Sequence, residues 1–177
     1  MLEYELLELA YMLKPVRSLI LKSVGNIPCV GALVRGSEIP LPRWLAQALE
    51  SQGFVEIQEG SISLQDLFKT KFSQQQQREQ LLKLEDFFYF VARDLIKTLE
   101  KQAKERSDVY LMTTTSRAQR DLIELFNIRF GYVLKAVRLG KLSVVEKSLS
   151  VEERIIAKKV LELVDRWMEL VRDGKHE

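Results

Sequence analysis

The chain has one histidine, one cysteine and, after Pro42, no proline. Each scarcity excludes something. His176 lies beside the C-terminus, where ordering is least expected, and is not read as a catalytic base. With Cys29 as the lone thiol there is no zinc spacing, no Cys/His dyad, no Ser/His/Asp set and no internal disulfide framework. The phosphate-cradling patterns G-x-x-x-x-G-K-S/T and G-x-G-x-x-G are missing as well. No run reaches the roughly 18 apolar residues of a membrane span, and no basic-then-apolar leader opens the chain. These absences predict an intracellular, cytoplasmic protein that binds no metal or cofactor, touches no membrane and is not an enzyme.

What is present is unevenly spread. The 177 residues are 46% hydrophobic and 29% charged, enough for one domain or two small ones, and the net charge of +2 names no partner. All four prolines and five of the eight glycines fall in the first 60 residues. That shift predicts a boundary near residue 62, with a domain of residues 1–62 and another of residues 63–177. The first piece carries five cations against seven acids, net −2, which leaves +4 for the remainder.

The first piece reads as a compact α+β unit. A helical start, YELLELAYML, precedes β-branched runs over 16–24 and 28–34, with turn signals at Gly25-Asn26 and Arg35-Gly36-Ser37. In the stretch EIPLPRWLAQALESQGFVEIQ, Pro40 and Pro42 hold the chain extended, a short helix follows, and Gly53 is placed to stop it. Trp44, Leu45, Ala48 and Leu49 share one face, so Trp44, Leu45 and Leu49 are expected in the small-domain core, with Arg43 and Gln47 outside. Trp44→Ala is then expected to unfold this domain. Residues 54–58 alternate as a half-buried strand. Helix followed by strand also fits a winged-helix DNA reader dimerised through a long helix, although Arg43 is the only cation on the candidate recognition helix.

The second piece reads as helical throughout, a larger all-α bundle. No Gly or Pro interrupts residues 74–106, and further helices are expected over 116–139 and 151–172. The last has a capping-box signature in Ser150 and Glu153 and a stop at Gly174. Leu81, Leu84, Phe88, Val91 and Leu95 form one bundle stripe; Leu122, Phe126, Val133 and Val137 form another. Phe87, Phe88, Tyr89 and Phe90 are consecutive, however, and cannot share one core face. Phe87, Phe88 and Phe90, with Phe126, Phe130 and Tyr132, are therefore the expected subunit-interface residues. The acid pairs Glu85-Asp86 and Glu152-Glu153 read as solvated helix faces. The basic run Arg129, Lys135, Arg138 and Lys141 reads either as an ordinary helix face with cations toward its C-terminus or as a weak DNA contact.

Two segments carry a resemblance. The run G-S-E-I-P-L-P-R-W-L-A-Q-A-L-E-S-Q-G-F-V-E-I resembles the small β domain of GINS-complex subunits, where a proline-led "LPxWLAxxL" segment precedes a glycine and a strand. The helix of residues 120–137, with its "YVLKAV" core, followed by Leu149-Ser150-Val151-Glu152-Glu153, is similar to the "R…KIL…LT-x-EE" arrangement of the GINS helical domain. The likeness spans about residues 16–172. With the β domain first, the sequence resembles the class of archaeal GINS subunits in that order. The resemblance implies a structural subunit acting in DNA replication. It would pair with a GINS subunit of opposite domain order in a dimer of dimers, at the replication fork on the nucleoid, bridging the MCM helicase to a RecJ-like protein and to primase.

Overall fold

The computed structural model of the chain describes residues 2–28, 30–58, 60–77 and 80–173. Cys29, Gly174 and His176 lie outside the described residues. The fold is α+β: a small N-terminal part carrying the sheets, then a larger helical part. The chain divides into two compact units, Met1–Ser61 and Ile62–Glu177.

In the first unit, helix α1 (Leu2–Leu13) precedes strands β1 (Pro15–Ile20), β2 (Val24–Ile27), β3 (Gly31–Leu33) and β4 (Glu38–Pro42). Helix α2 (Arg43–Ser51) and strand β5 (Val55–Ile57) follow. The main sheet has the order β4-β1-β5 and is antiparallel, with Arg17 opposite Pro40 and Ser18 opposite Ile57. Pro40 and Pro42 are tolerated because β4 is an edge strand, where a missing N–H breaks no ladder. Gly25 and Asn26, expected as a turn, instead lie inside β2, where the pairing with β3 shifts register. A strand glycine there accommodates a bulge. Val16, Ile20, Leu33, Leu41, Ala46 and Val55 form the core. Gly53 (φ +71°) ends α2 in the left-handed conformation that a residue with a Cβ resists, and its N–H reaches the Glu50 carbonyl at 2.9 Å.

The second unit contains α3 (Leu64–Gln76), α4 (Phe88–Arg106), α5 (Val109–Arg138), the short α6 (Leu142–Val145), a 3-10 turn (Glu146–Ser148) and α7 (Val151–Asp173). A capping box opens α3: the Asp66 N–H donates to Ser63 Oγ (3.1 Å) and the Ser63 N–H donates to Asp66 Oδ2 (2.9 Å). One core joins Leu67 of α3, Leu84 of the stretch before α4, Phe88 and Ile96 of α4, and Ala118 and Leu125 of α5; a second joins Val133 and Val137 of α5 to Leu149 and Ala157 beside and within α7. The expected unbroken helix over 74–106 does not form. Its chain leaves the helix after Gln76 and re-enters at Phe88, although neither Gly nor Pro marks the break. Arg129, Tyr132 and Glu152, distant in sequence, meet the Leu82 and Gln77 carbonyls and the Phe87 N–H there, and helical propensity yields to them.

Candidate interaction surface

The residues that open this break and hold it open meet at Arg129. It sits on the buried stripe of α5 with Leu125, Val133 and Ala136 and is completely shielded from solvent. A buried guanidinium is tolerable only if its charge and all five N–H donors are matched. Here they are. Nε donates to Glu153 Oε1 (2.6 Å) and Nη2 to Glu153 Oε2 (2.8 Å). Nη1 donates to Gln74 Oε1 (2.8 Å) and to the Leu82 carbonyl (2.7 Å), and Nη2 also reaches the Ser148 carbonyl (3.0 Å). Gln74 in turn donates to the Gln80 carbonyl and accepts from the Leu82 N–H, both at 3.0 Å.

The segment Leu149–Glu153 closes the arrangement. Glu153 forms the capping box of α7, accepting the Ser150 N–H at 3.0 Å, and it accepts the Tyr89 hydroxyl at 2.7 Å. Burial, then the neighbouring Glu153 charge, raises the Tyr89 phenol far above its ordinary value of 10, so it stays a neutral donor. Glu152 turns to the start of α4, accepting the N–H groups of Phe87 (3.1 Å) and Tyr89 (3.0 Å). It therefore caps a helix 63 to 65 residues earlier in the chain. Phe87 occupies the left-handed region (φ +68°), a strained setting for a bulky residue, and this cap holds it there. The reading of Glu152-Glu153 as a solvated face is thus overturned: both are buried, Glu152 because the first N–H groups of α4 lack acceptors and Glu153 because the buried Arg129 guanidinium of α5 needs a counter-charge. Glu85 and Asp86, by contrast, are exposed.

The same geometry corrects the basic patch. Lys135, Arg138 and Lys141 are exposed at the end of α5, but Arg129 points inward to Glu153 and contributes no surface charge.

The aromatic residues divide. Phe88 belongs to the core of the second unit and not to its surface, because α4 starts there and turns this ring onto α5. Tyr89 packs edge-on to Phe88 (5.6 Å between centroids) and to Phe126 (5.9 Å), and Phe126 stacks on Phe130 (5.6 Å). Phe126 and Phe130 are half-buried and, with Val133, Glu153 and Ile156, line a shallow hollow. Phe87 stacks on Phe90 (6.4 Å), and the Arg93 guanidinium covers Phe90 at 4.8 Å. Tyr132 is half-buried and its hydroxyl donates to the Gln77 carbonyl at 3.2 Å.

In the first unit α2 is rotated from the expected face. Leu45 and Leu49 pack against the core, but Trp44 is 48% exposed. The inward place beside it belongs to Arg43, whose guanidinium lies over the Tyr11 ring of α1 at 4.6 Å and donates to the Gly60 carbonyl at 3.0 Å. Arg43 is buried, against expectation, because α1 covers that side of α2 and supplies an aromatic face for the cation. A Cβ at Gly60 would collide with this guanidinium.

Two apolar stripes that sequence reading passed over remain uncovered. On α1, Leu6, Leu9 and Leu13 are exposed on the side opposite Leu7 and Tyr11. On α7, Leu163, Trp167 and Leu170 are exposed beyond the contact with α5. Their 3,4 and 4,3 spacings are legible in the sequence and are the signal that would have found them. Among the described residues no cluster of three or more His, Cys, Asp or Glu is placed to hold a metal, and no helix is long and apolar enough to cross a membrane. Neither a model of a known protein family nor a curated protein matches this chain.

Proposed function

We propose that this chain is a non-catalytic subunit of a GINS complex, of the class in which the small β-bearing domain precedes the helical domain. One observation carries the reading. The segment Leu149–Glu153, which resembles the "LT-x-EE" element of that family, is the piece that locks α4, α5 and the 77–87 segment together through Arg129, Tyr89 and Phe87. Such a segment is needed to keep a bundle rigid, and a rigid bundle with uncovered apolar stripes is suited to assembly with other subunits.

On this reading the chain pairs with a GINS subunit of opposite domain order in a dimer of dimers, in the cytoplasm at the replication fork on the nucleoid. There it bridges the MCM helicase to a RecJ-like protein and primase and acts by position alone. Phe87, Phe90, Phe126, Phe130 and Tyr132 are the half-buried aromatics offered to that assembly. Lys135, Arg138 and Lys141 are the exposed cations for any weak DNA contact. The winged-helix alternative loses support, since Arg43, the one cation of α2, is buried.

The test is capture of binding proteins from host lysate by the tagged chain, identified by mass spectrometry. Retention of an equal amount of a small subunit with reversed domain order, with MCM or a RecJ-like protein behind it, is expected. Retention of duplex DNA with a steep salt dependence, and none of those proteins, would overturn the proposal.

A further inference from the structure

Helix α5 is buried along one side and open along the other. On the open side Arg120, Asn127, Gly131 and Arg138 are all exposed. In steps of seven, four and seven residues they return to within about 40° of one another, opposite the buried Leu125, Arg129 and Ala136. Exposed Lys135 stands about 60° to one side of Arg138. Among the described residues nothing pairs with the Arg120, Lys135 or Arg138 side chain. Gly131 is the unusual member of the row. A glycine inside a helix weakens it relative to alanine, and the fold does not require one here, since an added Cβ would meet nothing within 4 Å. The missing side chain leaves a place where another molecule can approach the α5 backbone between cations.

Nearby acids do not cancel these charges. On α5 itself Asp121 is buried against Lys71 (2.7 Å), and Glu124 is held by Lys71 and by Gln75 (2.7 Å). The next acid in the chain is Glu146, which meets Lys158 at 3.9 Å. Helix α3 sets Lys69 and Lys71 against Asp66, and α4 sets five cations against Asp94, Glu100 and Glu105. On α7, Glu152 and Glu153 are buried and matched, while Glu162, Asp165 and Glu169 lie about 120° or more around that helix from Ile156, the residue that borders Phe126 and Phe130 of α5. Asp173 closes α7 about 30 Å beyond Glu153.

The row selects its ligand by what it has and lacks. A protein partner would need an apolar centre, whereas the exposed Ile123 and Leu134 border the row about 16 Å apart and form none. A single strand would need aromatic rings for its bases, and the row has none. We infer that the outer face of α5 binds the phosphodiester backbone of duplex nucleic acid without regard to sequence. Arg120 at one end and Lys135 with Arg138 at the other, about 27 Å apart, hold phosphates, and Gly131 admits the backbone between them. This enlarges the contact allowed above for Lys135 and Arg138, and it does not rest on the GINS reading, which stands or falls on captured proteins.

The experiment is fluorescence anisotropy of a labelled DNA duplex of about 20 base pairs, titrated with the purified full-length chain over a range of salt concentrations. Saturable binding with a log–log salt slope of about −3 is expected, close to one unit per phosphate neutralised. Arg120→Glu and Arg138→Glu are each expected to weaken binding by about 10-fold and to reduce the slope by about one. Lys97→Glu, an equal charge change on α4, is expected to alter neither. Gly131→Ala is expected to raise the melting temperature, and Gly131→Gln to keep the fold while weakening duplex binding by about 5-fold or more. Absence of binding at low salt would overturn the inference, as would a slope unmoved by Arg120→Glu and Arg138→Glu together, or an equal loss from Lys97→Glu. Competition by poly-glutamate as strong as by duplex, charge for charge, would also overturn it and make the face a site for an acidic protein.

Discussion

Arg129 and Glu153 form a bidentate pair across α5 and α7, 2.6 Å from Nε to Oε1 and 2.8 Å from Nη2 to Oε2, with both side chains almost wholly withdrawn from solvent. The pair is costly to desolvate, and its geometry offsets that cost only while every remaining donor is matched. Removing one partner strands a buried charge. Arg129→Met is expected to destabilise the helical unit by about 3–5 kcal/mol in urea unfolding at neutral pH. Adding Glu153→Leu is expected to cost less than the two single changes together by at least about 1 kcal/mol. Strict additivity in the double-mutant cycle would show the two groups to be uncoupled.

Trp44 and Leu41 should respond in opposite degree. Trp44→Ala is expected to cost less than about 1.5 kcal/mol, because half the indole already meets solvent. Leu41→Ala, at a fully buried position of β4, is expected to cost about 2–5 kcal/mol. Calorimetric melting of the two variants decides. Loss of the first unit on Trp44→Ala would restore the face expected from periodicity alone.

Phe88 and Phe90, two residues apart, should likewise separate. Phe88→Ser removes a core ring and is expected to cost about 3–5 kcal/mol and to lower the helical circular dichroism melt. Phe90→Ser strips a half-buried ring covered by Arg93 and is expected to leave the melt within about 1.5 kcal/mol of the parent. Capture of the partner subunit should be weakened by the second change with helicity intact.

Alkaline stability reports on Lys71. Hydrogen bonds to Asp121 and then to Glu124 raise its ammonium above the ordinary 10.5. Because the folded value exceeds the unfolded one, this contribution is at full strength below about 10.4 and fades as pH climbs through the folded value. Tyr89 acts with the same sign, since unfolding releases a phenol that the fold keeps neutral. Stability of the helical unit is expected to fall above about pH 10. The slope should be reduced in Lys71→Met and again in Tyr89→Phe. An unchanged slope in both would assign the alkaline loss elsewhere.

Much of the fold was legible locally. The crowding of proline and glycine into the first 60 residues, the edge-strand prolines, the stop at Gly53 and the Ser150–Glu153 capping box are written in short stretches of chain, because turn, edge and cap chemistry acts over a few residues. Which charges are buried is decided over far longer separations. Arg129 meets Glu153 across 24 residues and Gln74 across 55. At sequence level Arg129 was indistinguishable from Lys135 and Arg138, and Glu152-Glu153 from any acidic first turn. The break between α3 and α4 had no local signal either, since the Gln80 and Leu82 carbonyls and the Leu82 and Phe87 N–H groups are met by Gln74, Arg129 and Glu152 instead of by helix neighbours. By itself the sequence determined the two-part organisation and the helix and strand periodicities. Only the tertiary structure decided which polar groups meet, because a buried charge is stable only where chain distant in sequence brings its partner.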